Sequence, residues 1–126
     1  MDSTLRVLLV DDSKTMRNIQ RAMFSQFGIT EIEEAQDGQD ALSKIGAFRP
    51  TLVLVDWNMP VMDGLAFVKN VRERGMTMPI IMVTTEGEKT KVITAIKAGV
   101  NNYVIKPFTP EVLAQRVEET LAKKAA

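Results

Sequence analysis

The stretch Val7-Leu8-Leu9-Val10-Asp11-Asp12 is a continuous β-branched and leucine run that stops at two carboxylates. Four apolar residues are too few for a buried helix, so the run reads as a strand. Three further runs have the same form. Leu52-Val53-Leu54-Val55 stops at Asp56, Ile80-Ile81-Met82-Val83 stops at Thr84-Thr85, and Tyr103-Val104-Ile105 stops at Lys106-Pro107. A weaker strand is expected from about Ile32 to Ala35, where Glu31, Glu33 and Glu34 dilute the apolar signal. An edge position would account for that.

Between these runs the period changes to that of a helix. Met16, Ile19, Met23, Phe24 and Phe27 mark one face of a helix from Ser13 to about Gln26, ended by Gly28. Asp37-Gly38 opens a second helix with Ala41, Leu42 and Ile45 inward, and Asp63-Gly64 leads to a third carrying Leu65, Val68 and Val71. The fourth carries Val92, Ile93 and Ile96 and stops at Gly99. The fifth presents Val112, Leu113, Val117 and Leu121 and frays from Lys123. Strict alternation of strand and helix predicts an α/β fold, a five-stranded parallel sheet with five helices on both faces. With no linker or repeat, residues 1–126 read as one domain.

In a parallel sheet the C-terminal ends of all strands share one edge, where ligands bind. The residues just past the strong strands are Asp11-Asp12, Asp56, Thr84-Thr85 and Lys106. Three carboxylates against one lysine leave about two negative charges uncompensated. At roughly 4 Å each like pair costs on the order of 4 kcal/mol in partly shielded surroundings. A divalent cation would cancel that excess, and Mg²⁺ suits a set of carboxylates, a carbonyl and waters. Carboxylates are also nucleophiles toward phosphoryl groups. Asp56, alone at the end of a central strand, is assigned that role, with Asp11-Asp12 as the metal platform. Lys106 would neutralise charge on the phosphoryl oxygens and Thr84 would donate to one of them. Each residue also has a plain structural reading. Asp12 or Ser13 would serve as a helix cap, and Asp56 or Lys106-Pro107 would serve as a turn. Their convergence on one sheet edge favours the chemical reading.

Composition narrows the alternatives. The 126 residues carry 16 Lys+Arg and 16 Asp+Glu, so the formal net charge is zero. No general attraction to nucleic acid or anionic membrane is expected. There is no cysteine and no histidine, which removes disulfides, thiolate chemistry and imidazole catalysis, and leaves oxygen as the metal ligand. The N-terminus lacks the apolar run of a signal peptide, and no run is long enough to span a membrane. A cytoplasmic location is expected.

The motifs Val10-Asp11-Asp12-Ser13, Val55-Asp56-Trp57-Asn58-Met59-Pro60, Met62-Asp63-Gly64, Met82-Val83-Thr84-Thr85-Glu86 and Lys106-Pro107-Phe108 resemble, in order and spacing, the receiver domain of two-component response regulators. The resemblance covers nearly the whole chain. Thr15-Met16-Arg17 and Lys106-Pro107-Phe108-Thr109 bring it nearest to stand-alone CheY-type chemotaxis regulators. It implies a flavodoxin-like, doubly wound domain phosphorylated on Asp56 by a histidine kinase or a small donor such as acetyl phosphate. It also implies Mg²⁺ held by Asp12, Asp56 and the backbone carbonyl of Asn58, with Asp11 helping through water. Tyr103 is similar to the aromatic that turns inward with Thr84. Asn58 and Glu86 match the pair that sets dephosphorylation rate, here implying a phosphoryl lifetime nearer seconds than hours. The Lys106-Pro107 bond is expected to be cis by analogy. Val92, Ile96, Tyr103 and Arg116 would form the partner surface.

The implied partners are the kinase, a downstream protein of the flagellar-switch kind and a phosphatase. A monomer is expected, which catalyses its own phosphorylation and dephosphorylation without being an enzyme toward other substrates. Gly87 and Glu88-Lys89-Thr90-Lys91 depart from the chemotaxis pattern at the start of the fourth helix. The alternative is therefore a phosphorelay intermediate or another single-domain regulator. A haloacid-dehalogenase-type phosphatase would want a second acid at Asn58. A flavodoxin-like cofactor binder would not place Asp11-Asp12 where a cofactor phosphate must sit.

Overall fold

The computed structural model describes residues 1–85 and 87–125. The elements follow the order β1 (Arg6–Val10), α1 (Lys14–Gln26), β2 (Glu31–Ala35), α2 (Gly38–Phe48), β3 (Leu52–Val55), α3 (Gly64–Glu73), β4 (Ile80–Thr84), α4 (Lys89–Ala98), β5 (Asn102–Ile105) and α5 (Pro110–Ala125). The strands form one sheet in the order β2-β1-β3-β4-β5, and every pair is parallel. β3 is the central strand. The glutamate-rich β2 lies at an edge, where its weak apolar signal costs little.

Consecutive side chains of a strand point to opposite faces, so a strand covered by helices on both sides must be apolar throughout. Leu8, Val10, Val53, Val55, Ile80 and Met82 meet α2, α3 and α4 through residues such as Leu42, Ile45, Phe67 and Val71. Val7, Leu9, Leu52, Leu54, Ile81 and Val83 face the other way, against Phe24 of α1 and Leu113 and Val117 of α5. Three inward stripes differ from expectation, and in α5 (Pro110–Ala125) it is Val112 that stands exposed. In α1 the buried residues are Gln20 and Phe24, one turn apart, which rotates Ile19 outward to 43% exposure. In α4 only Ala95 is buried, and Ile93 and Ile96 face solvent. At the C-terminus α5 is helical to Ala125, and Ala126 lies outside the described residues.

The helix starts settle the capping question. Ser13 Oγ accepts the Met16 N–H at 3.1 Å, so Asp11 and Asp12 are not consumed as caps of α1. Asp37 and Asp63 cap α2 and α3 by accepting the N–H groups of Asp40 and Ala66. The Lys106-Pro107 peptide is cis, as expected by analogy.

The β3–α3 connection is the tightest part of the chain. Gly64 donates its N–H to the Trp57 carbonyl at 2.8 Å, and a Cβ placed on it would collide with the Asp56 carbonyl oxygen. Just before it, Met62 donates to the Pro60 carbonyl at 2.7 Å, which forces Val61 to φ 68° while its side chain stands 83% exposed. A β-branched residue is strained there, with no packing in return. Gly64→Ala is expected to cost about 2–3 kcal/mol, whereas Val61→Gly should stabilise by about 1 kcal/mol, because glycine enters a positive-φ γ-turn without the strain a β-branched residue bears. Urea midpoints of the two variants check both signs.

Candidate functional site

At the C-terminal edge of the sheet, β1 delivers Asp11 and Asp12, β3 delivers Asp56, β4 ends on Thr84 and β5 leads into Lys106. One carboxylate oxygen from each of Asp11, Asp12 and Asp56 lies within 4.8 Å of the others. Asp11 and Asp56 are buried, whereas Asp12 is exposed at the rim. The Lys106 ammonium sits 2.9 Å from Asp11 Oδ2 and 3.3 Å from Asp56 Oδ2, with its own side chain only 13% exposed. The chain is brought there because the Lys106 N–H donates to the Thr84 carbonyl at 2.9 Å, extending the β4–β5 pairing by one step.

Asp11 is tied down at several points. Its N–H donates to the Ala35 carbonyl, its Oδ1 accepts the Ser13 N–H at 2.9 Å, and its Oδ2 accepts Lys106. Asp56 is less well compensated. Burial raises its carboxyl above the ordinary carboxylate range; Lys106 works against that, and the neighbouring Asp11 charge adds to it. Ionised Asp56 is thus held at a cost by the protein groups around it.

Three oxygen-bearing acids converging around a single ammonium fit a hard divalent cation of the Mg²⁺ type. Such an ion, when bound, supplies positive charge toward an incoming anion. Asp11, Asp12 and Asp56 each offer a carboxylate oxygen that would hold it; Asp11 and Asp56 share theirs with Lys106, whereas Asp12 stands at the exposed rim.

The other expected residues are distributed as follows. Thr84 is fully buried at the end of β4, and β-register pairs Thr84 with Ile105 and Met82 with Tyr103, so Thr84 and the half-buried Tyr103 share one face of the sheet. Asn58 is exposed in the loop after β3. Glu86 lies outside the described residues. Val92 is half-buried and Ile96 is 53% exposed on α4, and Arg116 on α5 pairs with Glu119 at 3.3 Å. Two contacts beside the site had no assigned role in the sequence reading. Lys91 Nζ lies 5.1 Å from the centroid of the Trp57 ring, next to Asp56. Arg17 donates to the Asp11 carbonyl at 2.6 Å. An arginine one helical turn beyond an acidic strand end was the available signal for the second.

The fold and the edge cluster together define a class, the α/β domain with an acidic pocket and a facing lysine. The family model described as the response regulator receiver domain matches residues 7–118, and the chain belongs to that family. Among known proteins it is similar to the chemotaxis protein CheY1 of Helicobacter pylori, at 52% identity over 93% of this chain and 97% of the relative. It is 49% identical to a CheY homologue of Campylobacter jejuni, over 93% of this chain and 92% of that one. The receiver domain of Francisella response regulator 1452 superposes with a TM-score of 0.88 at 28% identity, covering 96% of this chain and 99% of that one.

The electrostatics carry a testable sign. A carboxyl whose folded pKa is raised destabilises the fold at neutral pH, and the penalty disappears as pH falls through that raised value. Metal-free Asp56→Asn should therefore unfold at a higher urea concentration than wild type at pH 7. The gap should narrow toward the ordinary carboxylate range. A variant no more stable than wild type at pH 7 would contradict the assignment.

Proposed function

We propose that this chain is a Mg²⁺-dependent phosphorylatable switch whose phosphoacceptor is Asp56, acting as a cytoplasmic response regulator of the chemotaxis type. The observation that carries the reading is the Lys106 ammonium lying within 3.3 Å of Asp56 and bonded to Asp11 on the far side. A carboxylate oxygen of Asp56 attacks the phosphorus of a phosphohistidine or acyl phosphate, and the bond to the donor's leaving group breaks as the new P–O bond forms. Lys106 stabilises charge on the transferred group throughout. Mg²⁺ would be held by Asp12, Asp56 and the Asn58 carbonyl, with Asp11 contributing through water, and would offset the remaining negative charge.

Thr84 donates to a phosphoryl oxygen from the end of β4, and Tyr103, on the same face of the next strand, responds to its movement. The result is a two-state shift in the surface carrying Val92, Ile96, Tyr103 and Arg116. Asn58 and Glu86 set the rate at which water removes the phosphoryl group. A histidine kinase is the donor, a flagellar-switch protein the target, and a phosphatase the third partner. Identity near 50% to chemotaxis proteins over almost their full lengths supports that pathway. The phosphorelay alternative stands on the start of α4, which departs from the chemotaxis pattern: its N-cap Glu88 makes no side-chain cap bond, and Lys89 and Lys91 occupy its first turn, an unfavourable end for cations. Binding to a flagellar-switch peptide or, instead, to a histidine phosphotransfer domain separates the two.

Incubation with acetyl phosphate and Mg²⁺ should add one phosphoryl group to the intact mass of the wild type. Neither Asp56→Asn nor wild type without Mg²⁺ should gain it. The adduct should decay within seconds to minutes and persist longer when Asn58 or Glu86 is replaced. A modification that survives Asp56→Asn would overturn the assignment.

A further inference from the structure

Resting on the reading of Asp11, Asp12 and Asp56 as a cation site, we propose that Arg17 is a positioning residue that fixes the metal-binding β1–α1 loop by clamping the Asp11 carbonyl to Glu34 of the edge strand. The Arg17 guanidinium spans two elements. One end donates to the Asp11 carbonyl at 2.6 Å, and Nε donates to Glu34 Oε1 at 2.9 Å. The second oxygen of Glu34 accepts Arg21 Nε at 2.8 Å, so two arginines one turn apart on α1 grip one carboxylate on β2. Arg17 is mostly buried, with 14% of its side chain exposed, and Glu34 has 24%. A charged side chain so enclosed keeps its place through the bonds that it makes.

The loop under this clamp is short. Only Asp11, Asp12 and the N-cap Ser13 join β1 to α1. Holding the Asp11 carbonyl fixes the peptide plane between the two acids. That plane sets where the exposed Asp12 carboxylate stands relative to Asp56, while the Ser13 N–H and Lys106 hold the Asp11 carboxylate. Outer partners that orient metal ligands in this way commonly change metal affinity about 10- to 100-fold when removed. The charge of Arg17 acts in the opposite direction. A cation near an acidic pocket disfavours a second cation, so simple charge removal would tighten Mg²⁺ binding. The two roles therefore predict opposite signs.

The test is a Mg²⁺ titration of the full chain followed by Trp57 fluorescence, with amide exchange at Ser13 measured on metal-free protein. Arg17→Met should raise the Kd for Mg²⁺ roughly 10-fold and speed exchange of the Ser13 amide. Arg17→Lys should stay weak, since a compact ammonium does not span both acceptors as the planar fork does. Glu34→Gln, which keeps Arg17 but weakens its anchor, should fall between and serves if Arg17→Met is too unstable to titrate. An unchanged or tighter Kd in Arg17→Met, or full affinity in Arg17→Lys, overturns the inference while leaving the cation site standing. A wild type that does not respond to Mg²⁺ by fluorescence or calorimetry overturns the cation-site reading, and this inference falls with it.

Discussion

All five strands run in one direction, and the site depends on that constraint. Parallel order places every strand's C-terminal end on one edge, so acids separated by some 45 positions in sequence, Asp11 and Asp56, become neighbours within reach of Lys106. An antiparallel partner at β3 would send Asp56 to the opposite edge. The apolar continuity of the strands, buried on both faces, enforces the arrangement, because the intervening helices must cover both sides. The fold and the chemistry thus share a cause.

Lys106 stands at the balance point of the edge. It pairs with two buried carboxylates at once, and without it Asp11 and Asp56 would be like charges facing each other in a poorly solvated pocket. The compensation remains incomplete, and the raised carboxyl of Asp56 is its signature. A pocket left short of positive charge is one that a divalent cation would stabilise. Part of the stability of the fold is given up to hold the Asp56 carboxylate ionised at this edge.

The sheet, its helices and the converging acids were legible because they rest on short-range patterns: apolar runs with abrupt polar stops, turn residues and caps. What was not legible depended on rotation or on distant contact. Val92, Ile93 and Ile96 occupy more than one face of α4, so their pattern did not show that Ala95 would be the buried residue. In α1, polar Gln20 takes an inward position beside Phe24 and displaces Ile19, against the apolar count. Val61, at positive φ in its tight turn, breaks its residue's own preference. Arg17 acquires meaning only once β2 brings Glu34 beside α1.

The central claim is that Asp12 and Asp56 hold a divalent cation at this edge. Its most direct measurement is an anomalous difference map from crystals soaked in Mn²⁺, a redox-quiet stand-in for Mg²⁺ with the same preference for oxygen. The account predicts one strong peak within bonding distance of the Asp12 and Asp56 carboxylates and the Asn58 carbonyl, absent from Asp56→Asn crystals. A map with no peak there, or with the ion seated on other residues, would contradict it.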